Sequence, residues 1–159
     1  MQKRALIFRA AGAALCAMVM VLCVFSHYLV TGSEIGDLAD VDETCTVTVD
    51  RYKHMEHENR QTVTLEGEEQ EALKALLLDS SFVRPLGRAG TVRFFSDIMY
   101  DIRIDFNDGQ RHISISVIGN EYLSVTTQYS HLKIRDKEFP QKLDAILEAA
   151  GMELPPLEN

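Results

Sequence analysis

The densest grouping of side chains able to handle metals or protons is His54-Met55-Glu56-His57-Glu58. On a helix His54 would share a face with His57 and with Glu58, and imidazole plus carboxylate is a zinc donor set. The H-E-x-x-H order of zinc peptidases is absent, however, and H-x-x-H lacks a third fixed ligand. The flanking residues read as strands, which puts the cluster on a loop, where ligand geometry is poorly held. His54 and His57 are thus weak metal candidates against the ordinary alternative of a solvated charged turn, and no cofactor is expected.

Other chemistries find less support. Asp105-Phe106-Asn107-Asp108-Gly109 has the look of a calcium loop, but glycine belongs at the sixth place and glutamate at the twelfth, where Gln110 and Ser116 stand. Ser80, Ser81 and Ser130 fall in loops, no G-x-S-x-G occurs, and Ser81-Phe82-Val83-Arg84 lacks the lysine of S-x-x-K. A hydrolase would need a nonlocal pairing such as Ser130 with His112 or His54. Asp101 and Asp105 share a strand face about 13 Å apart, too far for a coupled acid–base pair. No glycine loop could cradle phosphate, and no catalytic residue is assigned.

Arg84, Arg88 and Arg93 lie in a stretch, residues 80–96, without an acidic residue, interleaved with Phe82, Phe94 and Phe95. Arginine with aromatics is enriched at protein–protein interfaces, and guanidinium forks onto carboxylate or phosphate. The three arginines are the binding candidates of the chain, for a protein partner or an anion. The competing reading is that they neutralise nearby acids while the phenylalanines fill the core.

These residues must be positioned by something, and the address comes first. Lys3, Arg4 and Arg9 precede an apolar run over residues 10–30, with no acid before Glu34. As a helix, 21 such residues span ~31 Å, the thickness of a bilayer's hydrocarbon core. The run exceeds the ~7–15 residues of a removable signal, and the best cleavage position, after Gly32, is mediocre. The expectation is a signal anchor at 10–30, with residues 1–9 in the cytoplasm by the positive-inside rule and the C-terminal part outside the cell membrane.

The remaining 129 residues hold all 24 acidic and 13 of the 16 basic residues, a formal charge of −11. Phosphate backbones would repel such a domain, which argues against nucleic-acid binding. Of three cysteines only Cys45 lies outside the apolar run. No intramolecular disulfide can staple the outer domain, so a hydrophobic core must hold it, and Cys45 reads as a buried thiol.

Residues 31–43 are polar and read as a spacer. Residues 44–52 alternate as a strand, 53–60 as an exposed turn, and 61–65 as a short strand. Ala72, Leu73, Leu76 and Leu77 give a helical face behind Glu68 and Glu69, which suit a helix N-terminus. Residues 80–90 read as an irregular loop. Ile98, Tyr100, Ile102, Ile104 and Phe106 alternate with polar residues, Asn107-Asp108-Gly109 signals a tight turn, and Ile113, Ile115 and Val117 return. Further strands follow around Leu123–Val125 and around Leu132 and Ile134. Phe139, Leu143, Ile146, Leu147 and Ala150 form the stripe of a last helix, with Pro140 in its first turn and Gly151 as its stop. Residues 152–159 read as a loose tail. The fold class is α+β: an antiparallel β-meander covered on one face by two helices over residues 44–151, preceded by the transmembrane helix.

This order of parts resembles uncharacterised small single-pass-anchored proteins of Gram-positive bacteria. The residues that carry it are the 73–78 helix, Pro85, the 98–106 and 113–117 hairpin, and Phe139-Pro140-Gln141-Lys142-Leu143. The resemblance implies an extracytoplasmic address and no activity. Together these readings point to a membrane-tethered, non-catalytic interaction domain. Its contact surface would be the arginine stretch or the polar sheet face carrying Arg103, His112, Ser114 and Ser116. The alternatives are the nonlocal Ser/His hydrolase and a small structural subunit of a membrane complex acting through the helix itself.

Overall fold

A computed structural model describes residues 12, 14–21, 28–53, 56–84, 98–119, 121–126 and 128–154. The strands are β1 (Leu29–Thr31), β2 (Thr46–Lys53), β3 (Glu56–Leu65), β4 (Ser81–Val83), β5 (Ile98–Asp105), β6 (His112–Ile118), β7 (Tyr122–Val125) and β8 (Tyr129–Ile134). Two 3-10 turns, Gly32–Glu34 and Gly36–Asp40, follow β1, and the helices α1 (Gly67–Asp79) and α2 (Phe139–Ala149) flank the strand-rich middle. Among the described residues the eight strands form one antiparallel sheet in the order β1-β4-β8-β7-β6-β5-β2-β3. The class is α+β, as the alternating and helical periodicities predict.

The meander β5-β6-β7-β8 is the centre, and its register follows from the Asn107–Gly109 turn, where Gly109 adopts φ +69°. Tyr100, Ile102, Ile104, Ile113, Ile115, Val117, Leu123, Val125, Leu132 and Ile134 all face one side and are buried. Leu73 and Leu77 of α1 and Phe139, Leu143 and Leu147 of α2 close that side. Helix α2 ends as expected: Gly151 at φ +89° lets its N–H reach Glu148 O and the Met152 N–H reach Leu147 O, both at 2.9 Å. Cys45 is a free, buried thiol.

Four expectations are corrected. Residues 31–43 are not a spacer: Val30, Ile35, Leu38 and Val41 are at most 1% exposed and belong to the core. The four apolar residues are too few and too irregularly spaced to show a period, yet each plugs the gap beside α1. There Gln70 Nε2 donates to Asp42 O and Lys74 Nζ to Val41 O. The Gly32 N–H donates to Ser80 O at 3.0 Å. Lys53 and residues 56–60 are strand and not loop, because β2 runs on to Lys53 and β3 starts at Glu56, while residues 54 and 55 lie outside the described residues. The 80–90 stretch opens with strand β4, held between β1 and β8 and invisible to periodicity at three residues. The tail also starts late, since Met152 is in the core and Leu154 packs against it.

The expected membrane segment lies only partly within the described residues. Among the described residues no helix is long and apolar enough to cross a membrane. Of the expected 10–30 span, residues 12 and 14–21 are described and helical, whereas Leu29 and Val30 belong to β1. Val30 pairs with Phe82 and is wholly buried, so the last residues of the apolar run serve the sheet and not a helix.

Candidate functional site

Helices α1 and α2 and residues 32–41 pack on one face of the sheet. The opposite face carries the polar members of each alternation, and the register aligns them in rows across the strands. Thr62, Asp50, Asp101, Ser116 and Ser124 form one row, on β3, β2, β5, β6 and β7. Beside it run Tyr52, Met99, Ile118 and Tyr122, and on the other side Thr64, Thr48, Arg103 and Ser114.

Asp50 and Asp101 are direct cross-strand partners, an arrangement that repels unless each charge is compensated. Asp101 accepts from Tyr52 Oη and from Ser116 Oγ, both at 2.7 Å. Asp50 accepts from Arg60 and from Thr62 Oγ1, and the Arg60 contact holds its carboxyl below the usual range. Burial, then the bond to Asp101, pushes the Tyr52 phenol up to about 12. The Arg60 guanidinium lies 5.5 Å from the centroid of the Tyr52 ring. Farther along, Arg103 forks onto Asp105 at 2.8 and 3.0 Å.

Ser116 donates to a carboxylate and not to an imidazole, so it is not set up as a nucleophile. What the face offers is a rigid array of hydroxyls, carboxylates and guanidinium groups whose positions are fixed by one another.

The structure distributes the other candidates widely. Arg84 follows β4 directly, and its backbone N–H donates to Tyr28 O at 2.8 Å, which places it beside the start of β1. Arg88 and Arg93, with Phe94 and Phe95, lie outside the described residues. Phe82 is core, edge-on to Phe139 at 6.4 Å, as the competing reading of that stretch expects. His54 lies outside the described residues, and His57 belongs to strand β3. Among the described residues no three metal-ligating side chains converge. Ser130 of β8 falls in the register shift opposite Ser124, near the level of Ser116, while His112 lies four residues beyond Ser116 with β7 between the two strands. Their backbones are roughly 16 Å apart by strand spacing and rise, beyond a direct hydrogen bond.

Arg103, His112, Ser114 and Ser116 do share the polar face. What sequence reading misses is its centre, Tyr52 with Asp101. Alternation puts Asp101 and Ser116 on one face, and the hairpin turn makes them neighbours. Tyr52 joins them only through the β2–β5 pairing, 49 residues away in sequence. No family model, curated protein or solved structure matches this chain.

Proposed function

We propose that this chain is a membrane-tethered, extracytoplasmic, non-catalytic binding domain whose protein partner contacts the polar sheet face. The observation that carries the reading is that face itself: polar side chains fixed by one another around Tyr52, Asp101 and Ser116, on the side of the sheet away from the main core.

Tethering draws support from the N-terminal helical residues. Leu15, Met18, Val19, Met20 and Val21 are 49–65% exposed. Four of them are consecutive and so point around most of the helix circumference at about 100° per residue. A helix apolar on all sides is stable when surrounded by lipid or by protein, not by water. Strand β1 argues for retention of the segment. Cleavage after Gly32 would detach β1 and its buried Val30 from the sheet.

The test is site-specific photo-crosslinking of the full chain in intact cells. A probe at Arg103 or Ser114 captures the partner, while one at Glu148, on the exposed side of α2, does not. Equal capture from both positions, or none from Arg103 and Ser114, overturns the assignment of the face. A C-terminal tag shielded from external protease overturns the orientation.

A further inference from the structure

A sheet ends in strands whose outer main-chain groups have no ladder to join, and proteins ordinarily blunt such edges with proline, lysine, a bulge or a very short strand. At one end of this sheet β1 is three residues long. At the other end β3 is ten residues long, and over residues 61–65 it holds no proline, glycine or lysine. The register there runs without a bulge from Arg51 opposite Gln61 to Val47 opposite Leu65. Alternation fixes which groups of β3 are open. The Gly119 N–H donates to Ile98 O at 2.8 Å and the Phe106 N–H to Arg111 O at 3.1 Å, so the even-numbered residues of β5 turn their main-chain groups to β6. Odd-numbered Asp101 and Arg103 therefore bond β2, through Asp50 and Thr48 directly opposite. That leaves Val47, Val49 and Arg51 to bond β3, so the N–H and C=O of Thr62 and Thr64 point away from the sheet. Among the described residues neither threonine has a main-chain partner on that side.

Gln61, Thr62 and Val63 form one wall of a groove of 360 Å³, and Gly151, Met152 and Glu153, the turn that ends α2, form the other. Three strand residues span ~10 Å, so the groove gives an incoming chain a bed of about that length beside the open Thr62 groups. Val63 and Met152 are apolar, and Met152 is anchored in the core. Glu153 is exposed and, among the described residues, in no ion pair. An extended segment with an apolar side chain over Val63 and a lysine or arginine within reach of Glu153 suits both. A second copy of β3 suits the groove less well: over residues 59–65 its one cation is Arg60, which Asp50 already holds.

We propose that β3 is a strand-addition site: an extended, basic segment of a partner protein pairs antiparallel with residues 61–65 and lies in the groove against the turn after α2. Main-chain hydrogen bonds to Thr62 and Thr64 supply the affinity, and Val63, Met152 and Glu153 select the side chains. Antiparallel pairing continues the pattern of the whole sheet. The edge is a second surface, distinct from the polar face, and it stands whether or not that face binds.

The full chain in nonionic detergent is titrated with the peptide acetyl-Thr-Lys-Thr-Val-Thr-Lys-Thr-amide, following main-chain amide resonances and their hydrogen exchange. Saturable shifts centred on Thr62 and Thr64, with slowed exchange of those two amides, are expected. With its valine opposite Val63, the peptide aims the nitrogens of its third and fifth residues at β3 and that of the fourth away. N-methylation of the third and fifth weakens binding about tenfold or more, two hydrogen bonds' worth, while N-methylation of the fourth leaves it unchanged. Glu153→Gln weakens the lysine peptide about threefold, the scale of an exposed ion pair. Thr62→Pro keeps the fold, because the N–H it deletes is outside the ladder, and abolishes binding. No saturation at millimolar peptide, equal binding of the two methylated peptides, or full binding by a folded Thr62→Pro variant overturns the proposal. Should that variant fail to fold, the methylated peptides decide. Unchanged affinity in Glu153→Gln overturns the basic partner, and protection of the Thr62 and Thr64 amides that grows with protein concentration, without peptide, puts a second copy in its place.

Discussion

Gly32→Ala separates a tether that merely follows the membrane from one that is part of the domain. A Cβ built on Gly32 would sit 1.8 Å from Leu77 O and 2.6 Å from Leu78 Cα, both backbone atoms of α1. Reaching the 3.0 Å below which real Cβ contacts essentially never fall requires a retreat of about 1.2 Å, and no rotamer change can supply it. Overpacking of this kind costs ~1–3 kcal/mol. The same retreat stretches the 3.0 Å hydrogen bond from the Gly32 N–H to Ser80 O, worth ~1 kcal/mol, and loosens wholly buried Val30 two residues away. The expected loss is about 3 kcal/mol, a large part of the ~5–15 kcal/mol that holds an ordinary domain. Urea unfolding in nonionic detergent, read at constant m-value, measures it. Gly36→Ala is the comparison: there φ is +35°, but the nearest atoms are 3.3 Å away at the end of the flexible Gln128 side chain. A Gly32→Ala variant within about 0.5 kcal/mol of the parent refutes the packing described, since that is the range expected of an ordinary surface position.

Three further outcomes are expected. The Asp108 carboxyl is held down to about 2 by the Arg111 backbone N–H, then by the Arg111 side chain and the Gln110 N–H. Because its unfolded value is ~3.9, its contribution is complete at neutral pH and fades as pH falls from about 4 through about 2. Asp108→Asn flattens that limb of a Tm-versus-pH profile. Tyr52 shows the opposite sign: with a phenol raised to about 12 against ~10 unfolded, stability is intact below pH 10 and declines as pH rises toward 12. Absorbance titration shows Tyr52 ionising late, and Asp101→Asn brings it earlier by removing the charge its hydroxyl donates to. Tyr100→Phe removes the hydroxyl that meets Asp144 at 2.6 Å and costs ~1–2 kcal/mol in chemical denaturation, with the sheet register unchanged by hydrogen exchange.

The polar face shows how far sequence reading reaches toward a site. Period-two alternation assigns Asp101, Arg103, Ser114 and Ser116 to one face without any structure, because side-chain direction in a strand is a local property. It does not bring Tyr52 to Asp101 or set Asp50 opposite it, since those contacts depend on which strand lies beside β5. Arg51 is a sharper case. Its parity with Val47 and Val49 places it on the inner face, and that signal is present in the sequence. What it meets there depends on the neighbouring strand, which sets the Tyr100 ring 5.9 Å from its guanidinium carbon.

By itself the amino-acid order determined the elements whose information is local. These are α1 and α2 from their 3.6-residue stripes and caps, the β5–β6 hairpin from Asn107-Asp108-Gly109, the buried thiol of Cys45, and the division into a covered and an open sheet face. Tertiary structure alone decided the rest: three-residue strands β1 and β4 are too short to carry a period, and the apolar residues of 29–41 are too sparse to announce burial. They become core because a gap beside α1 and a free edge at β8 exist to receive them, and such vacancies arise from the packing of distant segments.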